Sequence, residues 1–317
     1  MDYVFCVRSI SKGAFTGEPG ATHFLEVPGN TKLVNPSHKI AKTKWVAKVL
    51  EMAKRGVNNG IDTGDVVFFV HGFNVTPEEM LERHRKIKNG LERNGFDGVV
   101  VSFDWPSAGS ALNYLEDRKD AKFTALKLVD EGISTFAALQ RPDCQINLHI
   151  VAHSMGSYVV REAFDDADDR PAVAAKSWSV SQMVLVAGDL SASSLTDNNP
   201  KSSSMFRHCV RLTNYYSPLD EILTLANVKR VGVSPRVGRV GMPDTAPKKG
   251  VDIYCGAYYK EHQDRFDEGV NRSHSWYFDD PTFMQDLTMT IEGRIDRKEF
   301  GTRAKTNLGN LALKALV

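Results

Sequence analysis

The chain has 317 residues, of which 42% are apolar and 25% charged, with 40 Lys and Arg against 39 Asp and Glu. That composition suits a folded globular chain with a sizeable core and excludes a mainly disordered or fibrous one. A formal net charge of +1 gives no global pull toward nucleic acid or an anionic membrane.

The N-terminus reads Met1-Asp2-Tyr3-Val4-Phe5-Cys6. It has no basic n-region and no long apolar h-region, so it is not a secretory signal. Uncharged apolar runs such as 66–70 are too short to cross a bilayer, and a cytoplasmic setting is expected. Cys6, Cys144, Cys209 and Cys255 lie far apart, without CxxC or metal-ligand spacing, so no metal or other cofactor is expected. Cys144, Cys209 and Cys255 sit in or beside apolar segments, as small buried hydrophobes do.

Short β-rich runs at 3–7, 23–27, 66–70, 99–103, 146–151, 183–186, 210–215 and 251–254 alternate with longer helical patterns. Several are nearly continuous apolar runs, as strands covered on both faces by helices require. After the third run, Thr76 serves as N-cap, Pro77 as first helical residue and Glu79 as the partner in a capping box. Asn94-Gly95 stops that helix. A second helical stretch covers 110–139 and a third follows Ser154. Such alternation predicts an α/β chain with a mostly parallel sheet and right-handed crossovers, read as one domain over 1–317.

Residues 146–157 read Ile-Asn-Leu-His-Ile-Val-Ala-His-Ser-Met-Gly-Ser. An apolar strand runs into a tight turn at Ser154 and a helix follows. A serine there is strained and its hydroxyl stands above the sheet. The turn needs small residues two before and two after the serine, here Ala152 and Gly156. Capping of the next helix is the plain alternative role for Ser154.

Attack on an acyl carbonyl builds negative charge on its oxygen, which two fixed N–H donors must meet. Where such an elbow organises the site, one donor follows the nucleophile and the other lies in the loop after an earlier strand. Here these are Met155 and, in Val70-His71-Gly72-Phe73-Asn74, Phe73. Gly72 lets that backbone approach closely, and His71 braces the loop by hydrogen bonding.

The partners of an elbow serine follow it as Asp or Glu, then His. That order removes His23, His38, His71, His84, His149 and His153 as the base, and His208 comes too early. His262 and His274 remain, and His274, on the polar loop Asn271-Arg272-Ser273-His274-Ser275, is preferred. Asp220, after the seventh run, is preferred as the acid, because that strand should neighbour the one whose loop carries His274. Asp189, after the sixth run, is the alternative; otherwise it serves as a helix cap or loop anchor.

At these positions the chain resembles the α/β-hydrolase superfamily and, more narrowly, a bacterial branch catalogued as α/β hydrolase of unknown function. The resemblance rests on Val70-His71-Gly72-Phe73-Asn74, Phe103-Asp104-Trp105-Pro106-Ser107-Ala108-Gly109, Tyr114 with Asp117, Ala152-His153-Ser154-Met155-Gly156, residues 215–220 and His274. It spans roughly residues 66–286. It implies an eight-stranded, mostly parallel sheet and a Ser154–Asp220–His274 triad. Trp105-Pro106-Ser107 either lines the acyl pocket or fixes a helix start.

Residues 227–250 carry Lys229, Arg230, Arg236, Arg239, Lys248 and Lys249 against Asp244, among prolines and glycines. A solvated loop is the simpler reading. A cap whose Arg236 and Arg239 steer anionic substrates is the sharper one. The basic tail from Gly293 reads as a surface helix. The function expected is hydrolysis of a small or medium-chain carboxylic ester through an acyl enzyme, with a small-molecule acyl ester as partner and no nucleic acid. Lipase, phospholipase, thioesterase or acyltransferase chemistry would use the same residues. A noncatalytic binding module is disfavoured because all three triad residues are present. Neither the substrate pocket nor the oligomeric state can be read from the sequence.

Overall fold

A computed structural model describes the chain except residues 59–60, 108–113, 138–139, 141–143, 176, 229–233, 267–270, 308 and 316–317. For residues 114–120, 133, 136–137, 144, 172 and 226–228 it describes the backbone alone.

The strands are β1 (Asp2–Ser11), β2 (Ala14–Val27), β3 (Lys39–Ile40), β4 (Lys54–Asn58), β5 (Ile61–Val70), β6 (Val99–Asp104), β7 (Cys144–His153), β8 (Val180–Val186), β9 (Cys209–Tyr216), β10 (Gly250–Tyr254), β11 (Arg303–Lys305) and β12 (Leu311–Leu313). Among the described residues they form one 12-stranded sheet in the order β11-β12-β10-β9-β8-β7-β5-β6-β1-β2-β3, with β4 paired to β5. From β1 through β6, β5, β7, β8, β9 and β10 to β12, every neighbouring pair is parallel. The eight runs read from the sequence are all strands. The sheet is wider than the eight strands expected, because β3, β11 and β12 are too short to leave a periodic signal and β4, Lys-Arg-Gly-Val-Asn, is mostly polar and exposed.

The apolar runs make sense once both faces are covered. Val66, Phe68 and Val70 of β5 enter one core with Trp45 and Val49 of the helix Lys42–Ala53 and Val159 and Val160 of the helix Gly156–Asp168. Val67 and Phe69 enter the opposite core with Ile87 and Leu91 of the helix Pro77–Arg93 and with Phe283 and Leu287 of the helix Pro281–Glu292. The period-two alternation of side chains thus feeds two cores, and each fully buried side chain contributes about 1.5–3 kcal/mol. The Thr76–Glu79 capping box forms as read, Asn94 is the C-cap, and Gly95 follows with φ +88°. The helical stretch at 110–139 is helical over Tyr114–Ala137, interrupted by a π-turn at Leu128–Ile133. Its remaining positions lie outside the described residues, as do the side chains of Tyr114 and Asp117.

The surface helix expected after Gly293 is replaced by β11 and β12. β12 extends the parallel sheet at β10, pairing Leu311 with Ile253. A buried polar knot fixes this end. Arg303 donates from Nη2 and Nε to Asp286 at 2.6 and 2.9 Å, and both side chains are 0% exposed. Tyr215 and Thr302 hydroxyls donate to the same carboxylate at 2.5 Å. Removing one partner of such a pair leaves the other charge buried alone. Arg303→Met is therefore expected to lower unfolding stability by about 3–5 kcal/mol, measured by urea denaturation. The double variant Arg303→Met/Asp286→Leu should recover most of that loss.

Candidate active site

Every candidate residue sits beyond the carboxyl end of a parallel strand, where open α/β sheets bind ligands. β7 ends at His153 and the chain turns at Ser154 with φ +53°. A non-glycine residue in that region is strained by about 1–3 kcal/mol and persists only when its surroundings hold it. Here the Ser154 N–H donates to Val186 O at 3.0 Å, while its carbonyl accepts from Asp189 N at 2.9 Å and Ser157 N at 3.1 Å. Ser154 is 5% exposed.

The glycines show how tightly the elbow meets β5. Val70 pairs with Ala152, so the two strand ends lie side by side. A Cβ on Gly156 would fall 2.3 Å from Val70 O and 2.6 Å from His71 O, and one on Gly72 would fall 2.8 Å from Ser154 Cβ. The small residue two after the serine is thus required by the end of β5. The same closeness brings the backbone of His71 and Gly72 against the elbow. Phe73 is partly buried against the core and Met155 is fully buried.

His71 does brace this loop. It is fully buried, its ring stacks on Trp105 with centroids 5.5 Å apart, and Trp105 Nε1 donates to His71 O at 2.9 Å. His71 Nδ1 donates to Gly72 O at 2.9 Å, and Nε2 accepts from Trp105 N–H at 3.2 Å. Burial lowers the His71 pKa despite the nearby Asp104, so the ring is neutral, as this pattern needs. Asp104 is also fully buried. Burial pushes its carboxyl up, but the Arg8 guanidinium beside it holds it below its ordinary value. Arg8 bonds Asp104 Oδ1 at 2.8 Å and Val75 O at 2.8 Å, and Ser107 Oγ accepts from Val75 N–H at 3.2 Å. Trp105 and Ser107 therefore fix the loop after β5. Sequence reasoning missed Arg8, although a lone arginine ending an apolar strand is a legible signal.

Asp220 and His274 meet. His274 Nδ1 donates to Asp220 Oδ2 at 2.7 Å, with the two residues 5% and 0% exposed. Asp220 Oδ1 accepts from Leu223 N–H at 2.9 Å, and Ser273 Oγ accepts from Glu221 N–H at 3.1 Å. His274 also touches the residue preceding the serine. His153 Nε2 donates to His274 O at 3.0 Å, and the two rings lie 4.7 Å apart. His262 packs instead on the Tyr258 ring, 4.4 Å away. Asp189 is buried with its Oδ1 2.9 Å from Arg236 Nε, the loop-anchor role.

The described part of 227–250 is built into the sheet edge. Arg236 is 1% exposed and buried against Asp189, so it cannot steer ligands from the surface as the cap reading required. Val237 and Gly238 N–H groups donate to Leu190 O and Gly188 O at 2.8 and 2.9 Å. Residues 229–233 of that segment, including Lys229 and Arg230, lie outside the described residues. Among the described residues no group of three or more His, Cys, Asp or Glu could hold a metal ion, and no helix is long and apolar enough to cross a membrane.

A largely parallel sheet flanked by helices, with a strand–serine–helix elbow at its carboxyl edge, defines an α/β hydrolase. The chain belongs to the family described as alpha/beta hydrolase of unknown function (DUF900), which matches residues 41–286. An uncharacterised protein of Nostoc sp. is 38% identical over 84 residues, a stretch covering 26% of this chain and 19% of that protein. Among solved structures, a Lactobacillus plantarum protein described as a cell surface hydrolase is 12% identical, covering 75% of this chain and 92% of its own, with a TM-score of 0.35. Phospholipase PlaB from Legionella pneumophila is 12% identical over 77% of this chain and 66% of its own, with a TM-score of 0.34. At such scores these two likenesses add nothing to a functional reading.

His153 offers a test of the site's electrostatics. Burial, with the positive charge of Arg83 nearby, drives its pKa well below 6.5. A depressed folded-state pKa gives stability present above the unfolded value of about 6.5 and lost as pH falls below it. His153→Gln keeps a donor for His274 O but cannot titrate. Between pH 8 and pH 5, the wild-type melting temperature should therefore fall more than that of the variant, read by calorimetry at matched ionic strength.

Proposed function

We propose that this protein is a serine hydrolase of carboxylic esters, acting on small or medium-chain acyl substrates through an acyl-enzyme. The observation that carries this reading is the 2.7 Å Asp220–His274 contact, at the same sheet edge as a serine in the left-handed region. With Nδ1–H committed to Asp220, the neutral His274 ring leaves Nε2 as its basic nitrogen. In the proposed reaction Ser154 Oγ attacks the ester carbonyl and His274 takes its proton. The oxyanion is met by the N–H groups of Phe73 and Met155, on backbone held by Gly72 and His71. His274 then protonates the leaving alcohol and afterwards activates the water that releases the acid. An alcohol in place of that water would make the same residues an acyltransferase, which product analysis separates. Cys6, Cys209 and Cys255 are free and buried, in keeping with a cytoplasmic setting.

Ser154→Ala is expected to lower turnover of a nitrophenyl ester by about 10⁴-fold or more and to abolish fluorophosphonate labelling. The fold should survive, because the substitution removes only a hydroxyl and leaves the turn's backbone hydrogen bonds to Val186 and Asp189 in place. Undiminished turnover by that variant would refute the reading. Asp220→Asn should lower kcat by about 10⁴-fold, because an amide there favours the unproductive imidazole tautomer. Asp189→Asn should cost far less, and the opposite ranking in folded proteins would move the acid to Asp189.

A further inference from the structure

A concavity lies beside the elbow. A cavity of about 380 Å³ opens between the start of the helix Gly156–Asp168 and the loops after β8, and Tyr158, Arg161, Asp189, Ser191, Lys201 and Arg236 contribute to its wall. It is joined to the proposed nucleophile by backbone. Asp189 N–H donates to Ser154 O at 2.9 Å, and Tyr158 N–H donates to Met155 O at 2.9 Å. The volume is at the small end of ligand sites, and the wall is rich in charges and hydroxyls. Such a wall does not suit an acyl chain, which gains by losing contact with polar groups.

Two guanidinium groups at this cavity carry donors that the described residues do not use. Arg236 is 1% exposed; its Nε faces Asp189, while its Nη2 is buried without a hydrogen-bond partner. Arg161 is 7% exposed; its Nη2 pairs with Glu162 and its guanidinium lies over the Tyr158 ring, while its Nε is buried without a partner. Lys201 stands exposed at the rim. A buried cationic donor left unmatched is costly, and a guanidinium fork fits phosphate or carboxylate oxygens.

We propose that this cavity receives an anionic group of the substrate, a phosphate or a carboxylate, held by Arg161 and Arg236 with Lys201 at the rim. The subsite makes the substrate an ester with an anion on one side of its scissile bond, and in that respect the proposal rests on the ester-hydrolase reading. Arg236 is paired with Asp189, so substituting it would take the cation from a buried carboxylate; Arg161 and Lys201 are the positions to test.

The first measurement is calorimetric titration of the full chain with inorganic phosphate, which needs no turnover. The wild type is expected to bind, and Arg161→Gln to bind about tenfold more weakly or worse. Lys201→Gln, a rim change harmless to folding, should weaken binding less but in the same direction. The second measurement compares kcat/KM for nitrophenyl esters ending in a carboxylate, a phosphate or a neutral methyl ester. The ratio of anionic to neutral ester should exceed one and fall about tenfold in Arg161→Gln. The larger of the two anionic ratios identifies which anion the site prefers. Absence of phosphate binding by the wild type overturns the subsite. Equal binding by wild type and both variants does so too, as does an anionic-to-neutral ratio that neither variant changes. Phosphate binding that depends on Arg161, in a protein that turns over no ester, upholds the anion site and removes the ester-hydrolase reading instead.

Discussion

The site depends on one close approach between two neighbouring strand ends. Val70 and Ala152 pair in register, and past them the loop after β5 and the turn at Ser154 run so near each other that neither Gly72 nor Gly156 has space for a Cβ. That closeness keeps the serine in a left-handed conformation, because its N–H and carbonyl are already committed to Val186 and Asp189. It also sets the backbone of His71 and Gly72 beside the elbow. A wider gap would let the turn relax and would remove both features together.

Two buried polar networks support this arrangement from opposite ends of the chain. Arg8, on the first strand, reaches Asp104 and the carbonyl of Val75, while Trp105 and Ser107 close around the same loop. At the other end, Arg303 joins Asp286 and Tyr215, fastening the last strands to the helix Pro281–Glu292 and to β9. Buried ion pairs of this kind are weak sources of net stability but severe to break. Their effect here is to fix register, since each one brings together residues far apart in sequence. His153 does the same on a smaller scale by holding the carbonyl of His274.

The basic segment at 227–250 shows how charge alone misleads. Six cations against one acid suggest a solvated surface, and for an isolated stretch that inference is sound. In the folded chain Arg236 finds Asp189 and both are buried, while Lys249 bonds the carbonyls of Phe206 and Cys209. A positive side chain reports that an acceptor or water is needed, not which of them the fold provides.

Local sequence determined the strands, the helix after β5 with its capping box, and the position of the elbow. Strands buried on both faces are continuous apolar runs, and caps and turns demand particular residues within a few positions. The order of the elbow's partners also made Asp220 and His274 legible as candidates. Tertiary structure alone decided that these two meet at 2.7 Å, that Asp189 faces Arg236, and that His262 packs on Tyr258. It decided too that the tail becomes β11 and β12 instead of a helix, since three-residue strands gain their hydrogen bonds and burial only from the sheet edge they join. Contacts between distant segments depend on strand order and register, and no periodicity within a single segment encodes them.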